Sequence, residues 1–430
     1  MSLLNKLEIL ADSAKYDVSC ASSGTKRNPK GRLGRNTPGG CCHSWSSDGR
    51  CISLLKILMS NICIYDCAYC VNRISNDIPR AIFTPDELAG LTVNFYRKNY
   101  IEGLFLSSAV TKSPDFTMEL LLQTVRLLRK EYRFGGYVHL KLIPGASWEL
   151  IKEGGRLADR VSVNIELPTR QSLALLAPQK TPDSILRPMK SVGALIQAIR
   201  RERKKTKKAP LFSPAGQSTQ LIVGATPESD RQIMMLSESL YDNMNLKRVY
   251  YSAYVPVNSG RNLPSVSSPP LLREHRLYQA DWLIRFYGFS TDEFLDEKNP
   301  NLNTDFDPKT DWALKHMETF PVEINRADYP QLLRIPGIGI RSAGKILTLR
   351  KVKALRFEDL KKLRIVLKRA QYFITLSGRY FGDEPQNAEK IQARLRIPVQ
   401  DKKKDSDQLD FFTRDPNRLA DELSAITGEL

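Results

Sequence analysis

Residues 54–70 read LLKILMSNICIYDCAYC, an apolar run that leads directly into three cysteines. The run is typical of a buried β-strand, and we predict a strand over 54–62. Cys63, Cys67 and Cys70 lie within eight residues, so one loop can wrap one face of a 4Fe-4S cube and leave the fourth iron without a protein ligand. A structural zinc ion, with a fourth ligand such as Cys51 or His43, is the alternative.

Further apolar runs recur downstream at the spacing of repeated strand-helix units. The predicted strands are 54–62, 103–107, 137–143, 161–167, 219–224 and 249–255, and the predicted helices between them are 85–98, 117–132, 182–202 and 227–243. Parallel neighbouring strands need a helical crossover, so the pattern predicts the α/β class and an incomplete parallel (β/α)6 barrel. A doubly wound open sheet is the structural alternative.

Composition narrows the class of protein further. The 430 residues carry 65 Lys or Arg against 47 Asp or Glu, a net charge of +18 that favours an anionic partner such as nucleic acid. No run approaches the roughly 20 apolar residues of a membrane span. Lys6 and Glu8 stand where a signal peptide needs an apolar run, so we expect a cytoplasmic protein.

All seven cysteines lie in the first 70 residues. An odd number in one crowded segment favours metal ligation in a reducing compartment over a disulfide framework. Residues 20–49 read as an irregular arm. Cys20, Cys42 and Cys51 are candidate ligands of an auxiliary cluster or zinc ion, and an arm with spare thiols is the alternative.

The basic run RERKKTKK, residues 201–208, is expected to form an exposed loop before the fifth strand. A solvated charge run is the simpler interpretation of such a segment, and a nucleic-acid contact is the other. Residues 258–270 read as a linker, followed by helical stretches at 271–287 and 311–316.

A basic module then covers residues 326–379, with 14 Lys or Arg and 3 Asp or Glu. Within it, LLRIPGIGIRSAGKI (332–346) predicts a helix, a tight turn and a second helix. Unpaired amides at the start of the second helix, with its dipole, suit a phosphate. We therefore predict phosphate contacts at Gly337, Gly339, Arg341 and Lys345. A weaker second copy over 357–373 is expected to pack more than bind.

These observations divide the chain into five predicted parts. They are a basic, cysteine-containing arm (1–50), the partial barrel (51–257), a linker with connecting helices (258–325), the C-terminal all-α helical module (326–385) and a charged, flexible tail (386–430).

The loop of three cysteines, with aromatic Tyr69 just before the last, resembles the signature of the radical S-adenosylmethionine enzymes, whose usual fold is a partial barrel. The resemblance implies that the open iron is chelated by the amino and carboxylate groups of S-adenosylmethionine. One electron then cleaves this cofactor to methionine and a 5'-deoxyadenosyl radical, which abstracts a hydrogen atom from substrate. Such a species needs a dry, enclosed site at the carboxyl ends of the strands.

The resemblance also suggests residues that contact the cofactor. Ser107 and Ser108 stand where the family often has a Gly-Gly-Glu stretch, so the acidic contact is absent here. The remaining candidates include Tyr69 in the cysteine loop, and Asn164 and Glu166, which lie on one face of the fourth predicted strand. Arg170 is expected near the methionyl carboxylate, and Gly224 beside the adenine. Polar groups satisfied within the barrel interior are the alternative for several of these.

The turn 335–339 resembles the helix-hairpin-helix element, which grips DNA backbone. Taken whole, the chain is similar to a family of radical S-adenosylmethionine proteins of DNA modification or repair, often encoded beside a uracil-DNA glycosylase-like protein. This implies hydrogen abstraction on a flipped or single-stranded nucleotide, with a one-electron donor of the flavodoxin or ferredoxin type. Modification of structured RNA such as tRNA, and a non-catalytic iron-sulfur DNA-binding protein, are the alternatives.

Overall fold

The computed structural model describes residues 1–14, 41–45, 51–382 and 387–396. The chain divides into two compact units. The first comprises the described parts of Met1–Glu228 and Ser239–Pro270, and the second comprises Ser229–Glu238 and the described part of Leu271–Leu430. In these described ranges, no helix combines the length and the apolar character needed to cross a membrane.

The first unit is built on one seven-stranded sheet whose strands follow one another in chain order. The strands are β1 (Cys41–Trp45), β2 (Cys51–Leu58), β3 (Gly103–Ser107), β4 (Tyr137–Lys141), β5 (Arg160–Ser162), β6 (Gln217–Val223) and β7 (Leu246–Ala253). β1 pairs antiparallel with β2, and every pair from β2 to β7 is parallel.

Helices connect the parallel strands. They are α1 (Leu3–Ser13), which precedes the sheet, and then α2 (Pro85–Arg97), α3 (Pro114–Arg126), α4 (Trp148–Leu157), α5 (Arg170–Leu176), α6 (Pro182–Lys205) and α7 (Asp230–Met244). A doubly wound sheet reverses its strand order at a switch point. The six parallel strands instead keep the order β2 to β7, so they form an incomplete (β/α)6 barrel and the predicted fold class is confirmed.

Local chemistry explains these elements. All five residues of β3 are buried, as expected for a parallel strand covered on both faces. At the start of α2, Thr84 accepts a hydrogen bond from the amide of Glu87, and the Glu87 carboxylate accepts one from the amide of Thr84. This capping box, with Pro85 in the first turn, fixes where the helix begins.

The second unit is mainly helical. Its helices are α8 (Leu271–Tyr287), α9 (Thr291–Phe294), α10 (Pro308–Lys315), α11 (Tyr329–Arg334), α12 (Ile340–Leu349), α13 (Phe357–Lys362), α14 (Leu367–Ala370) and α15 (Ala388–Leu395). Three short strands accompany them, and the sequence interpretation of an all-α module did not anticipate them. They are β8 (Val322–Glu323), β9 (Ile374–Leu376) and β10 (Arg379–Tyr380), in the order β10-β9-β8.

Two local predictions were wrong. The supposedly irregular arm contains β1, which pairs with β2 from Cys41 to Trp45. Residues 201–205 of the basic run continue α6 instead of forming a loop, because Arg, Lys and Glu favour helix and nothing breaks it before Thr206. In the predicted tail, α15 is described, while residues 397–430 lie outside the described residues.

Candidate metal centre

The cysteine loop, residues 63–70, lies beyond the carboxyl end of β2. Main-chain hydrogen bonds tie it to the end of the neighbouring strand β3. The amide of Met59 donates to the carbonyl of Ser107 at 2.7 Å, and the amide of Ile64 donates to that of Val110 at 2.9 Å. The three cysteines therefore lie at the end of the strands where barrel enzymes have their active sites.

Arg80 stabilises the chain on both sides of the cysteine loop. Its guanidinium donates to the main-chain carbonyls of Asn61, Asn72, Arg73 and Asn76 at 2.6, 2.9, 2.7 and 2.7 Å. The rigid fork of an arginine suits such a task, since its five N–H donors point in fixed directions. One side chain thus fixes the segments that enter and leave the loop.

Two further side chains hold the loop itself. Arg73 binds both carboxylate oxygens of Asp66 at 2.6 Å, and this hydrogen-bonded pair holds the pKa of Asp66 well below its usual range. Asn258, which follows β7, donates through Nδ2 to the carbonyls of Ala68 at 2.8 Å and Cys70 at 2.9 Å. The last strand of the barrel is thereby linked to the loop that follows its first parallel strand.

The three thiols are free, and neighbouring groups favour their charged form. The Tyr65 amide donates a hydrogen bond to Cys63 Sγ at 3.4 Å. Against the effect of burial, the Tyr69 side chain lowers the pKa of Cys67 and the Asn72 main chain lowers the pKa of Cys70. Donors of this kind stabilise a thiolate and tune the metal bound to it.

Burial governs the charge state of two of these sulfurs. Burial raises the pKa of Cys67, and it raises the pKa of Cys70 to about 12. Bare thiols here would be neutral, whereas an iron ligand is a thiolate whose charge the metal offsets. In the described ranges, no group of three His, Cys, Asp or Glu side chains could hold one metal ion. In a 4Fe-4S cube, by contrast, each cysteine binds a different iron.

A buried lysine stands beside the cysteine loop. Lys180 Nζ lies 2.8 Å from Glu166 Oε1 and 3.4 Å from the Tyr69 hydroxyl. The side chains of Lys180 and Glu166 are only 13% and 11% exposed. Burial lowers the pKa of Lys180, but Glu166 and Tyr69 outweigh that effect and leave this pKa well above its ordinary value. The ammonium therefore stays charged at this position.

Ser107 and Ser108 lie where the sequence predicted, at the carboxyl end of β3. Ser107 is buried, and its carbonyl binds the chain that leads into the cysteine loop. The Ser108 hydroxyl donates to the carbonyl of Ala109 at 2.7 Å. Both serines adjoin the loop, and their contact with a cofactor stays a prediction.

Asn164 and Glu166 do not share one face of a regular strand. β5 ends at Ser162, and Glu166 takes a left-handed conformation with φ +68°, which interrupts the alternation of side chains. Asn164 Nδ2 donates to Gln220 Oε1 at 3.2 Å, whereas Glu166 pairs with Lys180. The two residues therefore belong to different polar contacts at the barrel mouth.

Gly224 and Arg170 occupy contrasting surroundings. Gly224 follows β6 with φ +84°, and a Cβ placed there would lie 2.9 Å from the Pro270 side chain, so the glycine makes room for the chain's own proline. Arg170, in the first turn of α5, is exposed. Contact of either residue with a cofactor stays a prediction.

Tyr254, just beyond β7, presents an orphaned polar atom. Its hydroxyl is buried without a hydrogen-bond partner among the described residues. The ring packs with Leu167, Leu176 and Ala225, and Tyr69 of the cysteine loop packs against the same cluster. Leaving such a donor unsatisfied costs about 1–3 kcal/mol. A polar group bound beside the cysteine loop would satisfy it.

The predicted auxiliary metal site falls in part outside the described residues. Cys20 lies outside the described residues, and for Cys42 and Cys51 only the backbone is described. Cys42 lies on β1 in register with Leu54, and Cys51 opposes Trp45 on β2. The auxiliary site therefore stays a prediction.

In the second unit, the predicted phosphate contacts surround the turn between α11 and α12. Gly337 has φ +83°, and a Cβ there would lie 2.6 Å from the Val366 carbonyl. The Val366 amide donates to the Gly337 carbonyl at 3.0 Å, so the turn between α13 and α14 packs against the first turn. That this second copy binds little stays a prediction. Gly339 is the N-cap of α12, on which Arg341 and Lys345 are exposed.

Lys309 stabilises the turn between α11 and α12 through a main-chain contact. The fully buried side chain donates through Nζ to the carbonyl of Ile338 at 2.6 Å and lies 4.7 Å from the centre of the Tyr287 ring. Burial lowers the pKa of Lys309 to about 7, against the opposing effect of Asp307. The turn thus rests on a lysine that is close to losing its proton.

Sequence interpretation missed three residues that shape the first site. Lys180 and Asn258 lie in turn or linker segments whose polar composition predicts exposure, and Arg80 resembles any surface arginine. The proline-rich surroundings of Arg80 at 79–85 gave one usable signal, because a segment with little regular structure needs side-chain donors for its carbonyls.

Comparisons with known proteins are limited to structural likeness. No protein-family model and no curated protein matches the sequence. The chain is similar to the FeFe-hydrogenase maturase HydG, with 14% identity over 52% of this chain and 48% of that one, TM-score 0.38. It is similar to a radical SAM methyltransferase from Sphaerobacter thermophilus, with 15% identity over 52% and 66%, TM-score 0.31. It is also similar to HydG from Carboxydothermus hydrogenoformans, with 12% identity over 71% of this chain and 79% of that one and a TM-score of 0.29. The chain thus spans about half the length of the first of these structures.

Proposed function

We propose that the chain is a radical S-adenosylmethionine enzyme that acts on DNA. The observation that carries the proposal is the set of three free sulfurs within one loop at the carboxyl end of an incomplete barrel. A 4Fe-4S cluster held there by Cys63, Cys67 and Cys70, with S-adenosylmethionine, supplies reductive cleavage of that cofactor and hydrogen-atom abstraction from substrate.

The chain's own residues provide the surroundings for this chemistry. Lys180, paired with Glu166, donates to the hydroxyl of Tyr69, and the Tyr69 side chain lowers the pKa of Cys67. The packed cluster of Leu167, Leu176 and Tyr254 closes one side of the loop. A reactive species is protected from water by such apolar walls, and the orphaned Tyr254 hydroxyl offers a donor to a bound group.

The second unit supports DNA as the substrate class. Its basic module carries 14 Lys or Arg against 3 Asp or Glu. Arg341 and Lys345 are exposed on α12 next to the turn at Gly339, where helix amides and side-chain cations suit a phosphate. A base inside a duplex is out of reach, so the target is flipped out or single-stranded. An external one-electron donor and a glycosylase-like partner complete the proposal.

The cluster is tested by anaerobic reconstitution of the wild type, Cys63→Ala and the matched loop variant Ile64→Ala. The wild type and Ile64→Ala are expected to bind about four irons on the loop and to release 5'-deoxyadenosine from S-adenosylmethionine when reduced. Cys63→Ala is expected to do neither. Full iron in Cys63→Ala, or a loop that prefers zinc, would overturn the assignment.

The substrate class is tested by binding and by turnover. Binding of a duplex oligonucleotide is expected to weaken in R341S/K345S and to persist in K361S/K362S, an equal change of charge on exposed residues of α13. DNA is expected to accelerate release of 5'-deoxyadenosine. Tighter binding to RNA at matched salt would favour RNA modification instead. Failure of DNA to promote cofactor cleavage would favour a non-catalytic role.

A further inference from the structure

A second strongly basic surface lies on the barrel unit, at the end of α6. Residues 200–208 contain seven Lys or Arg and one carboxylate, Glu202. All of these side chains are exposed except that of Arg203, which is half-buried and donates to the Ala209 carbonyl. We name residues 200–208 with Lys247 the α6 patch.

Residues 200–208 carry seven cations against the single carboxylate of Glu202. Arg200, Lys204 and Lys207 form no ion pair within the described part of the chain. Burial lowers the pKa of Lys247, the second residue of β7, and the nearby charges of Arg200 and Arg160 lower it further. Cations from α6, β5 and β7 therefore converge on one surface, and their mutual repulsion favours a polyanion.

Capping of the helix dipole does not require so many charges. The effect falls off within the last turn and is satisfied there by Arg203, Lys204 and Lys205. Four further cations, Arg200, Arg201, Lys207 and Lys208, lie before or after that turn. The surplus charge is available to an anionic partner.

A cavity of about 250 Å³ adjoins the α6 patch. It is lined by three cations of the patch and by apolar neighbours, namely Arg200, Arg203 and Lys204 with Ile199, Leu211, Phe212 and Pro214. An apolar hollow beside cations suits a nucleotide, whose base is flat and apolar on its faces and whose phosphate is anionic. A bilayer fits less well, because the apolar side chains of α6, such as Ile185, Val192 and Ile196, are buried in the protein.

We propose that the α6 patch binds the phosphate backbone of nucleic acid, as a contact site additional to the turn between α11 and α12. The inference rests on the proposed function for its substrate class. The α6 patch lies at the amino ends of β5 to β7, whereas the cysteine loop lies at the carboxyl end of β2. It therefore adds affinity and salt dependence, and it does not present the reacting nucleotide.

The test compares two charge-matched variants of the full chain. R200S/K204S/K207S alters the α6 patch, and R97S/K98S/K130S removes three exposed cations elsewhere on the same unit. Binding of long duplex and single-stranded oligonucleotides is measured by fluorescence anisotropy over a range of salt. Loss of three phosphate contacts is expected to reduce the slope of log K against log salt by about three for a duplex. The control variant keeps the wild-type slope, and circular dichroism confirms that both variants fold.

The outcomes separate this inference from the proposed function. If R200S/K204S/K207S keeps the wild-type slope while R341S/K345S loses affinity, the α6 patch is not a nucleic-acid site and the proposed function stands. If the wild type binds neither DNA nor RNA, the proposed substrate class fails and the inference fails with it. If the variant loses binding only to vesicles of phosphatidylcholine and phosphatidylserine, the partner is a membrane surface and the inference is overturned.

Discussion

Replacement of Lys180 by methionine is expected to destabilise the first unit strongly. Methionine keeps an unbranched side chain but removes the ammonium that lies 2.8 Å from Glu166. Because the Glu166 side chain is only 11% exposed, its carboxylate would be left buried beside the sulfurs. Removing one partner of a buried ion pair costs about 3–5 kcal/mol, and we expect a loss of that size in the free energy of unfolding.

The double-mutant cycle isolates the ion pair from the loss of packing. Lys180→Met and Glu166→Gln each strand one buried charge, whereas E166Q/K180M strands none. The double variant is therefore expected to be more stable than the sum of the single losses predicts, by about 2 kcal/mol. Urea unfolding followed by circular dichroism gives the free energies, and iron retained after reconstitution reports on the cysteine loop.

A small effect would refute this reasoning. If each single variant lost less than about 1 kcal/mol, the pair would behave as an exposed salt bridge. The same conclusion would follow if the two losses were simply additive. In either case the buried placement of Lys180 beside Tyr69 would be wrong.

Three other substitutions test separate features. Burial lowers the pKa of Lys309 to about 7 in the folded chain, against 10.5 ordinarily. Between these two pH values the unfolded chain binds the extra proton, so the free energy of unfolding rises with pH by up to about 1.4 kcal/mol per pH unit. Lys309→Met is expected to remove this rise in thermal unfolding, and a wild-type stability that does not change with pH would contradict the prediction. Gly337 has a positive φ, and a Cβ placed there would lie 2.6 Å from the Val366 carbonyl oxygen, so Gly337→Val is expected to cost at least about 1–3 kcal/mol of stability in thermal unfolding. Gly344 has open space around it, so Gly344→Ala is expected to gain up to about 1 kcal/mol. Equal unfolding midpoints of the two variants would refute the close approach at Gly337. Arg80→Met removes four hydrogen bonds to carbonyls and is expected to lower iron retention on gel filtration, whereas exposed Arg97→Met should not; equal retention would show that Arg80 does not hold the loop.

The barrel was predictable from the sequence because apolar runs such as that of β3, which is buried at every position, recur at the spacing of strand-helix units. The strand at 103–107 was predicted with the observed bounds. The strand at 54–62 was predicted too long, because Met59 and Ile62 continue the apolar pattern after the backbone has left the sheet. Helix α4 was missed, because Gly154 and Gly155 lower helix propensity. Yet a Cβ at Gly155 would lie 2.2 Å from the Phe212 ring, so packing requires that glycine.

The ligands of the candidate site were predictable, and the polar contacts around them were not. The three cysteines lie within eight residues, so their spacing is a local property that can be seen directly in the sequence. Lys180 pairs with Glu166 across 14 positions, and Asn258 reaches Cys70 across 188. Contacts over such separations depend on how the barrel folds, and the periodicity of the sequence does not predict them.

The groups that favour a charged sulfur differ in how a substitution can remove them. The Tyr65 amide binds Cys63 Sγ, and the Asn72 main chain lowers the pKa of Cys70; every residue type except proline supplies such an amide, so most substitutions at positions 65 and 72 leave it in place. The pKa of Cys67 is lowered by the side chain of Tyr69, and a change to phenylalanine deletes its hydroxyl without altering the ring. Position 69 is therefore where evolution or an engineer could adjust the electronic character of a bound cluster by removing a single oxygen atom.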